Sequence, residues 1–238
     1  MSINQITQLP IGVAIQRGSI ANFSGVQKFG LNTAVSTSFE TVWTNGSLYS
    51  YPSTATTAVA TSSDTGSDND STVHIYGLDS NYDLADEVIT VGGSASTTSF
   101  IRVFRAFVVD ANTGSSNVGT ITITVNVITV AVIPATYGQS LQAVYTVPNG
   151  YRAFLMSIDG GTSKQKEVEI KLMSKSINGN TFQTKSLVTT YGTPIHKDYL
   201  VPEILTEKSD IEIRAKADAT TSISAGFQLI LENLEANG

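Results

Sequence analysis

Apolar and polar residues alternate along most of this chain with a period of two, which is typical of β-strands that are half-buried in a sheet. The alternating segments are short, and turn sequences such as Asn178-Gly179 and Pro148-Asn149-Gly150 separate them. No segment shows a sustained helical period that begins with a cap. The pattern predicts strands at Ser38–Thr44, Thr54–Ser62, Thr72–Leu78, Asp86–Val91, Phe100–Val109, Ile121–Val132, Leu141–Val147, Tyr151–Asp159, Glu167–Ser174, Thr181–Thr189, Asp210–Ala217 and Ile223–Glu232.

So many short strands predict an all-β fold, with one or two β-sandwich units of the jelly-roll type. The alternation lapses around Pro134 to Ser140, which indicates a boundary. We therefore predict an extended N-terminal arm at residues 1–30, a first β-sandwich domain at residues 31–136 and a second, jelly-roll-like sandwich at residues 137–238. Whether the two halves are independent domains or one continuous sandwich stays open.

The predicted arm contains one short alternating stretch of its own, at Leu9, Ile11, Val13 and Ile15. Pro10 and Gly12 interrupt it, and both are poor residues for a central strand, so it would lie at a sheet edge or extend another chain's sheet. Its apolar residues are expected to bury against a neighbouring subunit or the chain's own domain, and a frayed terminus is the other interpretation. The predicted partner-binding residues of the arm are Ile3, Ile6, Leu9, Ile11, Val13 and Ile15.

The charge of the chain argues against a nucleic-acid partner. The net charge is −6 and the pI about 4.8, so a phosphate backbone would be repelled. The residues up to Ser140 include four basic and nine acidic side chains, against ten and eleven after it, so the two halves are expected to face different surroundings. Only 14% of residues are charged. A hydroxyl-rich surface of low charge is shared by adhesins, sugar-binding modules and virion shell proteins.

Cysteine is absent, which excludes disulfides, thiolate metal ligands and a cysteine nucleophile. No apolar run approaches the roughly 18 residues of a membrane span, and no signal-peptide pattern is visible. We therefore expect a soluble protein without a membrane partner.

The residues that usually carry catalysis are sparse. The two histidines, His74 and His196, lie far apart in sequence, and no glycine-flanked serine offers a nucleophile. No pair of carboxylates stands out for glycoside hydrolysis, and no glycine-rich loop offers a phosphate site. We predict no catalytic residue and no cofactor, and a glycan-degrading enzyme is the least favoured function.

Two loops offer binding chemistry. Asp64, Asp68 and Asp70 could supply oxygen ligands to Ca²⁺, but their spacing fits no defined calcium loop, so a solvated turn without metal is the better interpretation. Trp43 is expected in the core, whereas Tyr49 and Tyr51 fall in the loop that follows it and could stack on sugar rings. These two tyrosines are predicted as partner-binding residues.

Several runs along the chain resemble virion structural proteins of tailed bacteriophages, many of them marine or cyanobacterial. In order they are Gly25–Asn32, Ser38–Trp43, Tyr76–Tyr82, Phe100–Arg105, Tyr145–Tyr151 and Glu207–Ala217. The resemblance spans most of the chain after the arm and implies a component of the phage particle.

Within that family, the resemblance implies a capsid decoration (cement) protein that clamps neighbouring major capsid subunits and stabilises the head. Its partners would be the major capsid protein and further copies of this chain, with a trimer favoured. It would be made in the host cytoplasm and lie on the capsid surface of the virion. The alternative is a tail- or fibre-associated module that binds a receptor or glycan through Tyr49, Tyr51 and the acidic loop.

Overall fold

The computed structural model describes residues 10–234, and the chain is almost entirely β, which confirms the predicted all-β class. Two short helices are α1 (Ile11–Gln16) and α2 (Thr65–Asp68). The strands are β1 (Phe23–Val35), β2 (Glu40–Thr41), β3 (Thr56–Ser62), β4 (Thr72–Leu78), β5 (Leu84–Thr90), β6 (Ser99–Phe100), β7 (Arg102–Asp110), β8 (Ile121–Val125), β9 (Ile128–Ile133), β10 (Val144–Thr146), β11 (Tyr151–Thr162), β12 (Glu167–Lys175), β13 (Gln183–Tyr191), β14 (Ile195–Leu205), β15 (Asp210–Ala217) and β16 (Thr221–Asn233).

The strands form two antiparallel β-sandwiches. In the first, which we call the terminal sandwich, the sheet β1-β16-β11-β14 faces the sheet β10-β15-β12-β13, to which β2 adds at β15. In the second, the inserted sandwich, the sheet β6-β3-β8-β9 faces the sheet β5-β4-β7. The inserted sandwich therefore lies between β2 and β10 in the sequence.

The strand pairing does not follow the predicted domain boundaries. β1 begins within the predicted arm and pairs with β16 at the other end of the chain, from Phe23 opposite Glu232 to Val35 opposite Thr221. The described part of the predicted arm, residues 10–30, is thus not one extended segment, and the terminal sandwich contains residues from both sides of the predicted first domain. The sequence pattern predicts no strand at β1, where Gly25 and Gly30 interrupt the alternation, and local alternation cannot reveal a partner about 200 residues away.

The strand predicted around Ile11 and Val13 is wrong, because these residues lie in α1. Pro10 precedes the helix with a φ of −51°, close to the value a helix requires, and its missing N–H costs nothing at a helix start. Ala14 and Ile15 form the buried side of the helix. A short apolar run fits a strand or a helix equally well, so its period alone could not decide.

Each sandwich has its own hydrophobic core. Phe227 and Leu155 are fully buried in the terminal sandwich, and Ile75 and Ile123 in the inserted one. The two cores meet where the β1 backbone passes very close to the segments before β3 and before β10. A Cβ on Gly30 would lie 2.0 Å from the carbonyl oxygen of Val42, so only glycine fits there.

A polar seam joins the two sandwiches beside that contact. The Arg102 guanidinium, on β7 of the inserted sandwich, forms two hydrogen bonds to the Asp210 carboxylate on β15, at 2.7 and 3.0 Å. It also donates to the carbonyl oxygens of Pro52 and Ile101, both at 2.8 Å. The Thr146 hydroxyl donates to Asp210 at 2.7 Å. This buried ion pair is fully hydrogen-bonded, which is the condition for charges to be tolerated in an interior.

Candidate interaction surfaces

One side of the terminal sandwich exposes the edges of both its sheets. β14 ends the order of one sheet and β13 ends the order of the other, so no described strand pairs with their outer edges. The Lys185 ammonium on β13 and the Glu203 carboxylate on β14 form an ion pair at 2.8 Å that links the two strands. We call this surface the β13–β14 side. Unpaired edges of this kind readily accept a strand from another chain.

A bulge in β14 projects from this side. Asp198 is opposite Ser157 of β11 and Glu203 is opposite Leu155, so the four residues Tyr199–Pro202 face a single residue of β11. The surplus residues cannot continue the ladder, so the chain bends outward. Leu200 and Val201 form the tip, where they are 99% and 83% exposed. Two neighbouring apolar side chains in full contact with water point to a binding role.

Other apolar side chains extend the same surface. Leu187 and Tyr191 on β13 and Ile204 on β14 are each more than half exposed. Charged residues surround them: Lys185, His196, Lys197, Asp198 and Glu203. An apolar patch with a polar rim is the usual composition of a protein–protein interface.

The structure separates the six predicted arm residues. Ile3, Ile6 and Leu9 lie outside the described residues. Ile11 and Val13 lie on α1 and are 66% and 44% exposed, whereas Ile15 is buried where the helix contacts β1. Two of the six therefore present apolar surface to solvent, and Ile15 contributes to the chain's own fold.

Tyr49 and Tyr51 do not form the exposed platform that the sequence suggested. Tyr49 is buried in the core of the inserted sandwich, and its hydroxyl lies 3.0 Å from the carbonyl oxygen of Val130 and 3.2 Å from that of Val103. The Tyr51 ring packs 5.0 Å from the Arg102 guanidinium in the seam. Burial raises the pKa of both phenols. Their loop packs against the seam, so neither ring is free to stack on a sugar.

Trp43 lies in the same core, as expected, and its indole N–H donates to the carbonyl oxygen of Gly46 at 2.7 Å. Its ring meets Tyr49 edge-on, with the ring centroids 4.8 Å apart. Trp43, Tyr49 and Tyr51 therefore stabilise the region where the two sandwiches meet.

The acidic loop is tied into the inserted sandwich. The Asp64 side chain caps α2 by accepting the backbone N–H of Ser67. Asp68 is buried, and its carboxylate accepts the backbone N–H groups of Val118 and Gly119 at 2.7 and 2.8 Å. Within residues 10–234, no group of three His, Cys, Asp or Glu side chains is arranged to hold a metal ion. Asp68 thus anchors a loop, and was not the solvated turn residue we predicted.

The histidines lie on strand surfaces. His74 on β4 contacts the Asp86 carboxylate of β5 at 2.6 Å, and His196 on β14 contacts Asp198 at 3.1 Å. The two lie in different sandwiches, so they do not form one site. No helix in the described part of the chain has the length and apolar character to cross a membrane.

The sequence interpretation missed β14 altogether. Its residues do alternate, from Ile195 through Lys197 to Tyr199, but Pro202 and the adjacent Leu200 and Val201 break the period. That break is the bulge. An apolar pair next to a proline within a weakly alternating run is therefore the signal that could have located this surface.

Comparison with known proteins assigns no function to this chain, so the functional argument depends on the residues described above. No protein-family model matches the chain, and no curated protein matches it. The chain is weakly similar to the structure of infectious bursal disease virus Gt strain, with 10% identity over 94% of this chain and 78% of that chain and a TM-score of 0.24. The structure of the Gx strain of the same virus matches with 10% identity over 89% of this chain and 76% of that chain, with a TM-score of 0.22. Likenesses this weak carry no argument about function.

Proposed function

We propose that this protein is a structural component of a phage particle, a capsid decoration protein that clamps neighbouring major capsid subunits. The observation that carries the proposal is the β13–β14 side, where two open sheet edges and a fully exposed Leu200–Val201 tip lie together. The family resemblance of the sequence supplies the phage context. The function is mechanical, so it needs contact area and no reacting group.

The β13–β14 side suits such a clamp in two ways. Its open edges can add to a sheet of a capsid subunit through backbone hydrogen bonds, which depend little on side-chain identity. Its apolar tip can fill a groove, and burying a leucine or a valine contributes about 1.5–3 kcal/mol each. Many copies bound to one shell add these modest contacts together.

The arm supplies a second contact in this proposal. Ile11 and Val13 are exposed on α1, and the predicted partner residues Ile3, Ile6 and Leu9 precede them in the chain. α1 packs on β1, the strand at the opposite edge of the sheet from β14. A molecule with contacts at both edges can bridge two neighbours, with the major capsid protein and further copies of this chain as its partners.

The test is co-sedimentation of purified protein with emptied capsids that lack it, followed by the heat resistance of the shells. Leu200→Ser combined with Val201→Ser should abolish binding and the gain in heat resistance. Val127→Ser is the matched control, because Val127 is 95% exposed but stands alone on a turn of the inserted sandwich. Loss of binding in the control as well, or normal binding by the double variant, would contradict the proposal.

A further inference from the structure

A cleft lies beside β1, between the terminal and inserted sandwiches, and its volume is about 320 Å³. Both sandwiches contribute apolar walls: Val26, Tyr76, Leu84, Phe104, Tyr145 and Leu231. Lys28 and Arg105 are its two basic residues. Because β1 and β14 are the two ends of one sheet, the cleft and the β14 bulge lie at opposite edges of it.

The two cations of the cleft have no carboxylate partner among residues 10–234. Lys28 is only 8% exposed, and its ammonium donates to the carbonyl oxygen of Phe104. Arg105 is exposed, with its guanidinium 5.0 Å from the Phe107 ring. Within the described chain, no carboxylate forms an ion pair with either residue. Burial, and secondarily the charge of Arg105, lower the pKa of Lys28 to about 7.

A buried amine without an anion is a costly arrangement, since the charged form loses its hydration and gains no partner. The cost falls when an acidic group enters the cleft. The apolar walls add a second requirement, that the acidic group belong to a segment with apolar side chains.

The β14 bulge is a segment of this kind. Asp198 and Glu203 stand at its two ends, with Tyr199, Leu200, Val201 and Pro202 between them. Their carboxylates contact His196 and Lys185, but the Asp198 side chain is still 78% exposed and that of Glu203 43%. The segment therefore offers the cleft two exposed apolar side chains and, in Asp198, a carboxylate that is largely accessible.

We propose that the β14 bulge of one copy docks in the β1 cleft of a second copy, with Leu200 between the apolar walls and an acidic neighbour facing Lys28 and Arg105. The two surfaces differ, so the contact is head-to-tail, and it closes into a ring when the rotation between copies allows. This inference deepens the proposed assembly function by naming a partner surface, and it rests on that function.

Sedimentation velocity of purified protein, over the concentration range that its solubility allows, tests the contact. The wild type should associate, whereas Leu200→Asp and Arg105→Glu should each remain monomeric under the same conditions. Both side chains are exposed, so both variants should fold. Val127→Asp and Lys164→Glu are matched controls, since each makes the same change at an exposed position outside the two surfaces, and both should associate like the wild type.

The decisive sample is an equimolar mixture of the two monomeric variants. Leu200→Asp retains an intact cleft and Arg105→Glu an intact bulge, so the mixture should form a species of twice the monomer mass. A wild type that stays monomeric throughout, single variants that associate normally, or a mixture that stays monomeric would each overturn the inference. If Arg105→Glu co-sediments with capsids while the wild type never self-associates, this inference fails and the proposed function stands.

Discussion

Arg102 and Lys28 are both almost completely buried, at 7% and 8% exposure, but their surroundings differ. Arg102 in the seam has two hydrogen bonds to the Asp210 carboxylate and two to backbone carbonyls. Lys28 in the cleft has one backbone carbonyl and a second cation nearby. The Arg102 charge is thus paired within one chain, whereas the Lys28 charge has no carboxylate partner among residues 10–234.

The same contrast holds for apolar residues. Phe227 is fully buried between the sheets of the terminal sandwich, whereas Leu200 is fully exposed on a bulge of the same sheet. Arg102 and Phe227 are thus partnered inside the molecule, whereas Leu200 stays in water and the Lys28 ammonium has no carboxylate partner among the described residues. An assembly subunit is expected to show this division, because its remaining contacts form only in the particle.

The largest expected effect comes from breaking the seam. Arg102→Met leaves the buried Asp210 carboxylate with only the Thr146 hydroxyl and the Lys175 ammonium, which lies 3.6 Å away, so the free energy of unfolding in urea should fall by up to about 3–5 kcal/mol. The matched control is Arg152→Met, which breaks the more exposed pair with Glu232 and should lower the free energy of unfolding far less, because solvent screens that pair. If the Arg102 variant does not fold, combining it with Asp210→Leu should restore folding, because no buried charge of the pair remains. Equal losses for the two single variants would contradict this account of the seam.

Lys28 is expected to make a smaller contribution to the free energy of unfolding, and this contribution depends on pH. Between its folded pKa of about 7 and its ordinary value of 10.5, the unfolded chain holds the lysine proton and the folded chain does not. The free energy of unfolding should therefore rise with pH across that interval, by at most about 1.4 kcal/mol per unit, and this contribution should be constant below pH 7. Arg105, Tyr76 and Tyr145 also line the cleft, and burial raises the pKa of the Tyr145 phenol above its ordinary value.

Urea unfolding between pH 6 and 9 measures this, with Leu200→Asp as the background so that self-association does not contribute. Lys28→Met should remove most of the slope above pH 7, whereas Lys164→Met, at an exposed position, should keep it. If the free energy of unfolding of the Lys28 variant rises with pH as steeply as before, burial in the cleft does not lower the pKa of Lys28.

The sequence predicted the local structure well where alternation is regular. β4 has the bounds that the pattern predicts, Thr72–Leu78, and β11, β12, β15 and β16 lie within a few residues of theirs. The pattern merged β8 and β9 into one strand, because the turn between them uses Asn126 and Val127 with φ of 46° and 61°. A β-branched residue rarely adopts that conformation, so Val127 does not indicate a turn.

The candidate surfaces were harder to predict, because each depends on which strands become neighbours. Tyr49 and Tyr51 have the composition of a binding loop, but the seam covers them. The cleft brings Lys28 of β1 beside Phe104 of β7, and no local pattern relates these residues. The arm residues were expected to bury against a neighbouring subunit or the chain's own domain; Ile15 buries in the chain's own domain, whereas Ile11 and Val13 stay exposed.

The most direct test of the central claim is whether the β14 tip becomes covered in the particle. The chain has no cysteine, so Leu200→Cys and Val127→Cys each introduce a single thiol that a maleimide reagent can label. On shells that carry the protein, labelling at position 200 should slow strongly relative to the free protein, while labelling at position 127 should be unchanged. Equal labelling at position 200 in the free and shell-bound protein would contradict the claim that this side is an assembly surface.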